Sequence, residues 1–198
     1  MRPTNKSMKR LSLYLFLILF TLQTPSQADD IQDFEIEGMS VGDSLLDYFS
    51  ESEIKNTGKK YYPGDKKFFN IFYNNLPQFK VYDQIQILLK TGDKKYEIHG
   101  ITGAINFKNN LTDCLKKKEE IASELSEFLK DIIKRRSDRK GEYANDTKSV
   151  YYASEFYFLN KAGGARVLCN DWSNNRRDVK VSIDTAEVIY WLTNEAWK

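Results

Sequence analysis

The chain has 198 residues, 41% of them hydrophobic and 29% charged, with only 10 Gly and 4 Pro. That profile fits a single globular domain large enough to bury a core and excludes a disordered chain. The formal net charge of +2 belongs to the first 28 residues, because without Arg2, Lys6, Lys9 and Arg10 there remain 26 basic and 28 acidic residues, a net charge of −2. The remainder therefore offers no clustered basic field for a nucleic-acid partner.

Residues 1–28 read as a secretory signal peptide. They combine a basic start, the twelve-residue apolar run LSLYLFLILFTL, and Ser26-Gln27-Ala28, which puts small residues where a signal peptidase reads. Twelve apolar residues fall short of the about 20 that span a bilayer. Cleavage after Ala28 is expected, leaving residues 29–198 as one exported domain, periplasmic or secreted, with no stable membrane span.

DFEIE then reads as a short strand broken by Gly38, and Ser40 followed by Asp43 is a capping-box variant that predicts a helix with Leu45, Leu46, Tyr48 and Phe49 on its apolar face. FFNIFY is rich in strand formers, and VYDQIQILLK alternates, with Val81, Ile85, Ile87 and Leu89 on one side and Asp83 as the polar exception there. YEIHGITGAINF returns as a third strand, where Gly100 and Gly103 suggest a bulge or a close backbone approach.

The strongest periodic signal follows. Leu111, Leu115, Ala122, Leu125, Leu129 and Ile132 recur at three-and-four spacing and predict an amphipathic helix of about 25 residues. The basic run KRRSDRK, residues 134–140, is placed at its C-terminal end, where cations complement the helix dipole. Three further strands are read in VYYASEFYFL, ARVLCNDW and DVKVSI, the first pair joined at Gly163-Gly164. A last helix carries Val188, Trp191 and Leu192 behind an Asp184/Glu187 cap.

The predicted fold class is α+β, an antiparallel meandering sheet covered on one face by the long amphipathic helix, with the order helix-then-three-strands occurring twice. Cys114 and Cys169 both lie in the exported part, so a disulfide joining helix to sheet is expected. Two cysteines and the sole histidine, His99, give no metal-ligand spacing, and neither a metal nor a cofactor is expected.

Gly42-Asp43-Ser44-Leu45 spells the tetrapeptide that names a family of serine esterases. A serine nucleophile needs a base and oxyanion donors, and that family has an Asp-x-x-His pair near its C-terminus. Here His99 is mid-chain with Tyr96 three residues before it, so Ser44 is read as a first-turn helix residue and no catalytic residue is assigned. Asp83, Asp171 and Asp184 belong to no loop with calcium-ligand spacing and are read as surface or turn residues.

The stretch GMSVGDSLLDYF after a strand end resembles the entry of helix-plus-meander envelope modules, the BamE-like and beta-lactamase-inhibitor-protein-like families. This chain lacks their lipobox cysteine and their Gly-x-Pro after the first helix. The chain as a whole resembles uncharacterised exported proteins of low-GC marine alphaproteobacteria, through FEIEGMSVGDSLLDYF, DCLKKKEEIASELSEF and CNDWS followed by VSIDT. That resemblance implies location and fold and transfers no catalytic residue. The function expected is non-catalytic binding of an envelope protein or other envelope component; the alternative is an envelope hydrolase of unrecognised type. The strand VYYASEFYF has Tyr151 and Tyr157 on one side and Tyr152, Phe156 and Phe158 on the other. With only one face covered, the candidate partner-binding residues are Tyr152, Phe156, Phe158 and Trp172.

Overall fold

The computed structural model describes residues 31, 34–108, 110–129, 133–143, 146–159 and 163–198; the expected leader, 1–28, and its cleavage point lie outside these. Strands β1 (Glu35–Ile36) and β2 (Met39–Ser40) form a small hairpin. Its turn residues Glu37 and Gly38 have φ of 53° and 78°, the left-handed conformation that a two-residue hairpin turn of this hand requires. The Glu37 carboxylate accepts hydrogen bonds from the backbone N–H groups of Lys80, Val81 and Tyr82 at 2.7–2.9 Å and so anchors a distant loop.

The single helix expected after Ser40 is instead a turn, a 3-10 segment at Leu45–Asp47 and a short helix α1 (Glu51–Asn56). Gly42 takes φ 95°. The backbone here commits its hydrogen bonds to the start of β6 and the loop before it: Gly42 N–H donates to Ile98 O at 2.8 Å and Leu45 N–H to Tyr96 O at 3.0 Å. Helix formation is deferred until Ser50, whose hydroxyl and Glu53 form a complete capping box.

Eight strands make one antiparallel sheet: β3 (Lys60–Tyr61), β4 (Phe68–Asn74), β5 (Gln84–Lys90), β6 (Ile98–Lys108), β7 (Ile133–Tyr143), β8 (Asp146–Phe158), β9 (Gly163–Asp171) and β10 (Arg176–Thr185). Their spatial order is β3-β4-β5-β6-β10-β9-β8-β7. Each half of the chain is a meander of four strands, and the two join at β6 and β10. The α+β class holds; each half has one more strand than expected.

The extra strand in the second half is β7, which contains the run 134–140 expected at a helix end. Helix α2 spans Leu111–Phe128 with Leu129 as its C-cap; Ile132, the last residue of the expected period, lies outside the described residues. Beyond it, cationic side chains on both faces of the strand lie over the aromatics of β8: Arg136 is 5.7 Å from the centre of the Phe156 ring, Arg139 4.9 Å from Tyr151 and Lys140 5.4 Å from Tyr152. A charged strand at the sheet edge also discourages pairing with other chains.

On one face of the sheet, α2 packs over β6, β10 and β9. Its Cys114, Ile121 and Ala122 join Val167, Val179 and Val181 in the main core, together with Phe34, Met39, Leu45, Phe49 and Ile54 from the N-terminal segment. The disulfide Cys114–Cys169 fastens α2 to β9, with the two Cα atoms 5.7 Å apart. On the other face, α3 (Ala186–Asn194) packs on the same central strands. Its Val188 and Trp191 meet Phe68 and Leu88, residues whose strand neighbours Phe69 and Ile87 point into the main core. The sheet thus carries a helix on each face, and α3 covers only part of the second. The N-cap of α3 is Thr185, which accepts from Val188 N–H at 3.3 Å; Asp184, expected there, is still in β10 opposite Gly100.

The two glycines of β6 act as expected. Leu88 pairs with Gly100 and Leu89 with Ile98, so His99 is the extra residue of a bulge. A Cβ at Gly103 would lie 2.5 Å from the Tyr82 ring, and one at Gly100 the same distance from Asp184 Oδ1.

Candidate functional site: the open face of the sheet

The sequence candidates separate clearly. Phe156 and Phe158 are 1% and 4% exposed within the main core, Phe158 stacked on Phe34 at 6.0 Å. Tyr152 packs against the same core. These three are corrected from surface to core, because Tyr152 pairs with Cys169 in register and so faces α2. Tyr151 and Tyr157 point to the other side. Trp172 joins them there, stacked on Tyr143 at 4.8 Å and donating from Nε1 to Asp178 Oδ2 at 2.7 Å.

Ser44 donates its single hydroxyl proton to the backbone carbonyl of Lys95 at 2.7 Å and accepts from Leu46 N–H. It is the N-cap of the 3-10 segment, and its proton goes to a carbonyl, which is no general base. His99 packs its ring against Phe68 at 5.3 Å. Asp83 Oδ2 accepts from Asn106 N–H at 2.7 Å, and Asp171 pairs with Arg177 at 2.6 Å. Among the described residues, no group of His, Cys, Asp and Glu is placed to hold a metal ion, and no helix is long and apolar enough to cross a membrane.

What converges is a set of side chains on the face opposite the main core. Strand pairing lays them out in rows. One row crosses the sheet as Phe72, Gln86, Thr102, Ser182, Arg166 and Glu155; the next as Asn74, Gln84, Ala104, Lys180, Leu168 and Ala153. Thr102 and Ser182 share a hydrogen bond of 2.9 Å and form a low floor. Gln86 donates to Asn70 at 2.8 Å and Gln84 to Asn74 at 2.5 Å.

Lys180 stands beside this floor. Burial pushes its ammonium below the usual range; Asp178 opposes the shift, while Arg176, Arg166 and Lys60 reinforce it. Lys60 is on β3, four strand spacings away, about 19 Å on a flat sheet. Its ammonium lies over the Phe72 ring, 5.9 Å from the centre. Among the described residues, no carboxylate lies within ion-pairing distance of Lys60, Arg166 or Lys180. Arg166 Nε is also buried without an acceptor.

Arg166 and Asp184 line both a small cavity of about 40 Å³ under α3 and a groove of about 360 Å³ bounded by Arg139, Glu155, Tyr157 and Ile189. Burial raises the Asp184 carboxyl to about 6, against the opposing pull of Arg166. Glu155 is held by Arg139 at 2.9 Å. Asp178 is buried under Trp172 and bonded to Asn170 at 2.5 Å.

Sequence reasoning missed Arg166 and Lys180. Each is one cation inside an alternating strand, ARVLC and DVKVS, and reads as an ordinary solvent-side residue until the register sets the two diagonally across β9 and β10. No protein-family model matches the chain, nor does any curated protein or solved structure.

Proposed function

We propose that this is an exported domain of the cell envelope that acts by binding, through the open face of its sheet, with no catalysis of its own. The observation that carries the reading is a pair of half-buried cations on one face, Arg166, which faces Glu155 and Asp184 without an ion pair to either, and Lys180, which lies 5.9 Å over the Trp172 ring beside Tyr143. Buried or half-buried charge is costly unless something compensates it, so such a face favours a ligand that supplies the missing partner. The basic and apolar character of residues 1–28 and the disulfide both support an oxidising, extracytoplasmic location, periplasmic or secreted.

A photo-crosslinking residue at Tyr151, on the open face, tests the reading against one at Lys116, exposed on α2. In the producing cell, the Tyr151 position should give an adduct with an envelope component and the Lys116 position none. No adduct, or equal adducts from both, would overturn the assignment of the face. The second reading, an envelope hydrolase, draws on one observation, a groove carboxyl of Asp184 raised to about 6, the range suited to a general acid. Turnover of a captured ligand, abolished by Asp184→Asn, would decide for it.

A further inference from the structure

We propose that the groove beside α3 binds a free α-amino acid with an apolar side chain, its carboxylate on Arg166 and its ammonium on Asp184. This goes beyond the binding reading above, which concerns an envelope partner, and assigns a small-molecule site to the end of the open face that α3 covers.

The groove of about 360 Å³ lies between β8, β9 and α3, and its volume is within the range of small-ligand sites. Its floor follows from the strand register. Gly164 on β9 stands between Tyr157 on β8 and Asp184 on β10; two residues along, Arg166 stands between Glu155 and Ser182. A Cβ at Gly164 would lie 2.6 Å from the Phe156 carbonyl oxygen, so the position stays bare and the hollow stays open.

Charge in the groove is only half matched. Glu155 accepts from Arg139 Nε and Nη2 at 3.2 and 2.9 Å and from the Tyr157 hydroxyl at 3.2 Å. Arg166 and Asp184 have no such partners. Among the described residues, the Arg166 guanidinium makes no ion pair and its Nε is buried without an acceptor; the Asp184 carboxyl accepts no hydrogen bond. The two are diagonal neighbours across β9 and β10, rooted about 7–8 Å apart, and the charge of Arg166 acts on Asp184 without an ion pair between them.

A guanidinium and a carboxylate that line one hollow and stay unpaired suit a ligand with an anion and a cation side by side. An α-amino acid carries both on one carbon. Its carboxylate matches the fork of a guanidinium, which holds such a group by two parallel N–H bonds, and its ammonium gives Asp184 the donors it lacks. The remaining substituent meets Ile189 and Leu192, the half-buried side chains that α3 adds to the wall, and such a wall favours an apolar one.

Titration calorimetry on the disulfide-bonded protein tests the proposal at pH 7.5, where Asp184, raised to about 6, is ionised. The probes are L-leucine and L-phenylalanine, then the amide and the deaminated acid of whichever binds more tightly. At least one amino acid should bind. Its amide, which lacks the carboxylate, and its deaminated acid, which lacks the ammonium, should each bind at least about tenfold more weakly. Two variants assign the ends. Asp184→Asn should weaken the amino acid at least about tenfold without weakening the deaminated acid, and Arg166→Gln should do so without weakening the amide. Urea unfolding at the same pH checks that each variant is folded. Binding of neither amino acid, an amide or deaminated acid as tight as its parent, or a folded variant that departs from its pattern would overturn the proposal. An adduct at Tyr151 would then leave the envelope-partner reading standing. Amino-acid binding without that adduct would keep this site and remove the partner.

Discussion

Replacing Asp184 by Asn should stabilise the protein, and only above a defined pH. The carboxyl is raised from an ordinary 3.8 to about 6 by burial, so the folded state holds the proton more tightly than the unfolded chain does. Folding therefore takes up a proton between about pH 4 and pH 6. The contribution of Asp184 is most favourable below the lower value, is lost as pH rises toward the upper one, and is constant beyond it. A shift of about two units is worth about 3 kcal/mol at 1.36 kcal/mol per unit. The asparagine side chain has the same shape as the carboxyl and no proton to lose. The two proteins should match in urea unfolding at pH 4, and the variant should gain up to about 3 kcal/mol by pH 7.5, about 6–12 °C in midpoint for a domain of this size. A difference that does not change with pH, or a variant less stable at pH 7.5, would refute the reasoning. A carboxylate that costs this much in the folded state, with Gly100 leaving room for its Oδ1, is expected of a site in which stability is traded for function. Arg166, the cation acting on it, is the group it would serve to position.

Reduction of Cys114–Cys169, 55 residues apart in sequence, should cost about 4 kcal/mol by the chain-entropy relation, read as a lower unfolding midpoint in reductant and no change in a double Cys→Ala variant. Gly103→Ala should destabilise by about 1–3 kcal/mol through overpacking, since its Cβ would meet the Tyr82 ring at 2.5 Å; the same change in a Tyr82→Ala background should cost much less, and equal costs would show that the ring is not the obstacle. Ser44→Ala should lose about 1 kcal/mol, the worth of an N-cap, and keep any binding of the open face; labelling of Ser44 by a fluorophosphonate would instead mark it as a nucleophile.

Sequence carried most of the sheet because burial on one side writes itself as alternation. Ile85, Ile87 and Leu89 on β5 and Val179, Val181 and Ile183 on β10 all reach the main core, as their spacing predicts. It carried less where charge replaced alternation. In β7 the edge strand is stabilised by cations over the rings of β8, a tertiary contact that leaves only a basic run to read, and helix dipole complementarity explains such a run equally well. The segment from Gly42 to Asp47 holds a capping pattern but bonds its backbone to the start of β6 and the loop before it, a long-range choice no local pattern contains. The aromatic faces of β8 were recognised as two, but both bear large rings, so composition could not say which was covered. The disulfide could have decided it. Cys114 sits on the covering helix and Cys169 opposite Tyr152, so the side of Tyr152, Phe156 and Phe158 had to be the core side.

The same register explains why the candidate site needs the whole domain. Lys60 and the amides Asn70 and Gln86 come from the first meander; Lys180, Arg166 and Asp184 come from the second. They share a face only because the meanders join at β6 and β10, where Thr102 and Ser182 make the floor by bonding across the junction. Within the second half alone, Lys180 on β10 would stand at a sheet edge open to water, at little electrostatic cost and with little power to select a ligand. Joining the halves brings the charges onto one surface, and α3 roofs one end of it. Lys180 is then forced below its ordinary range by burial and by its fellow cations.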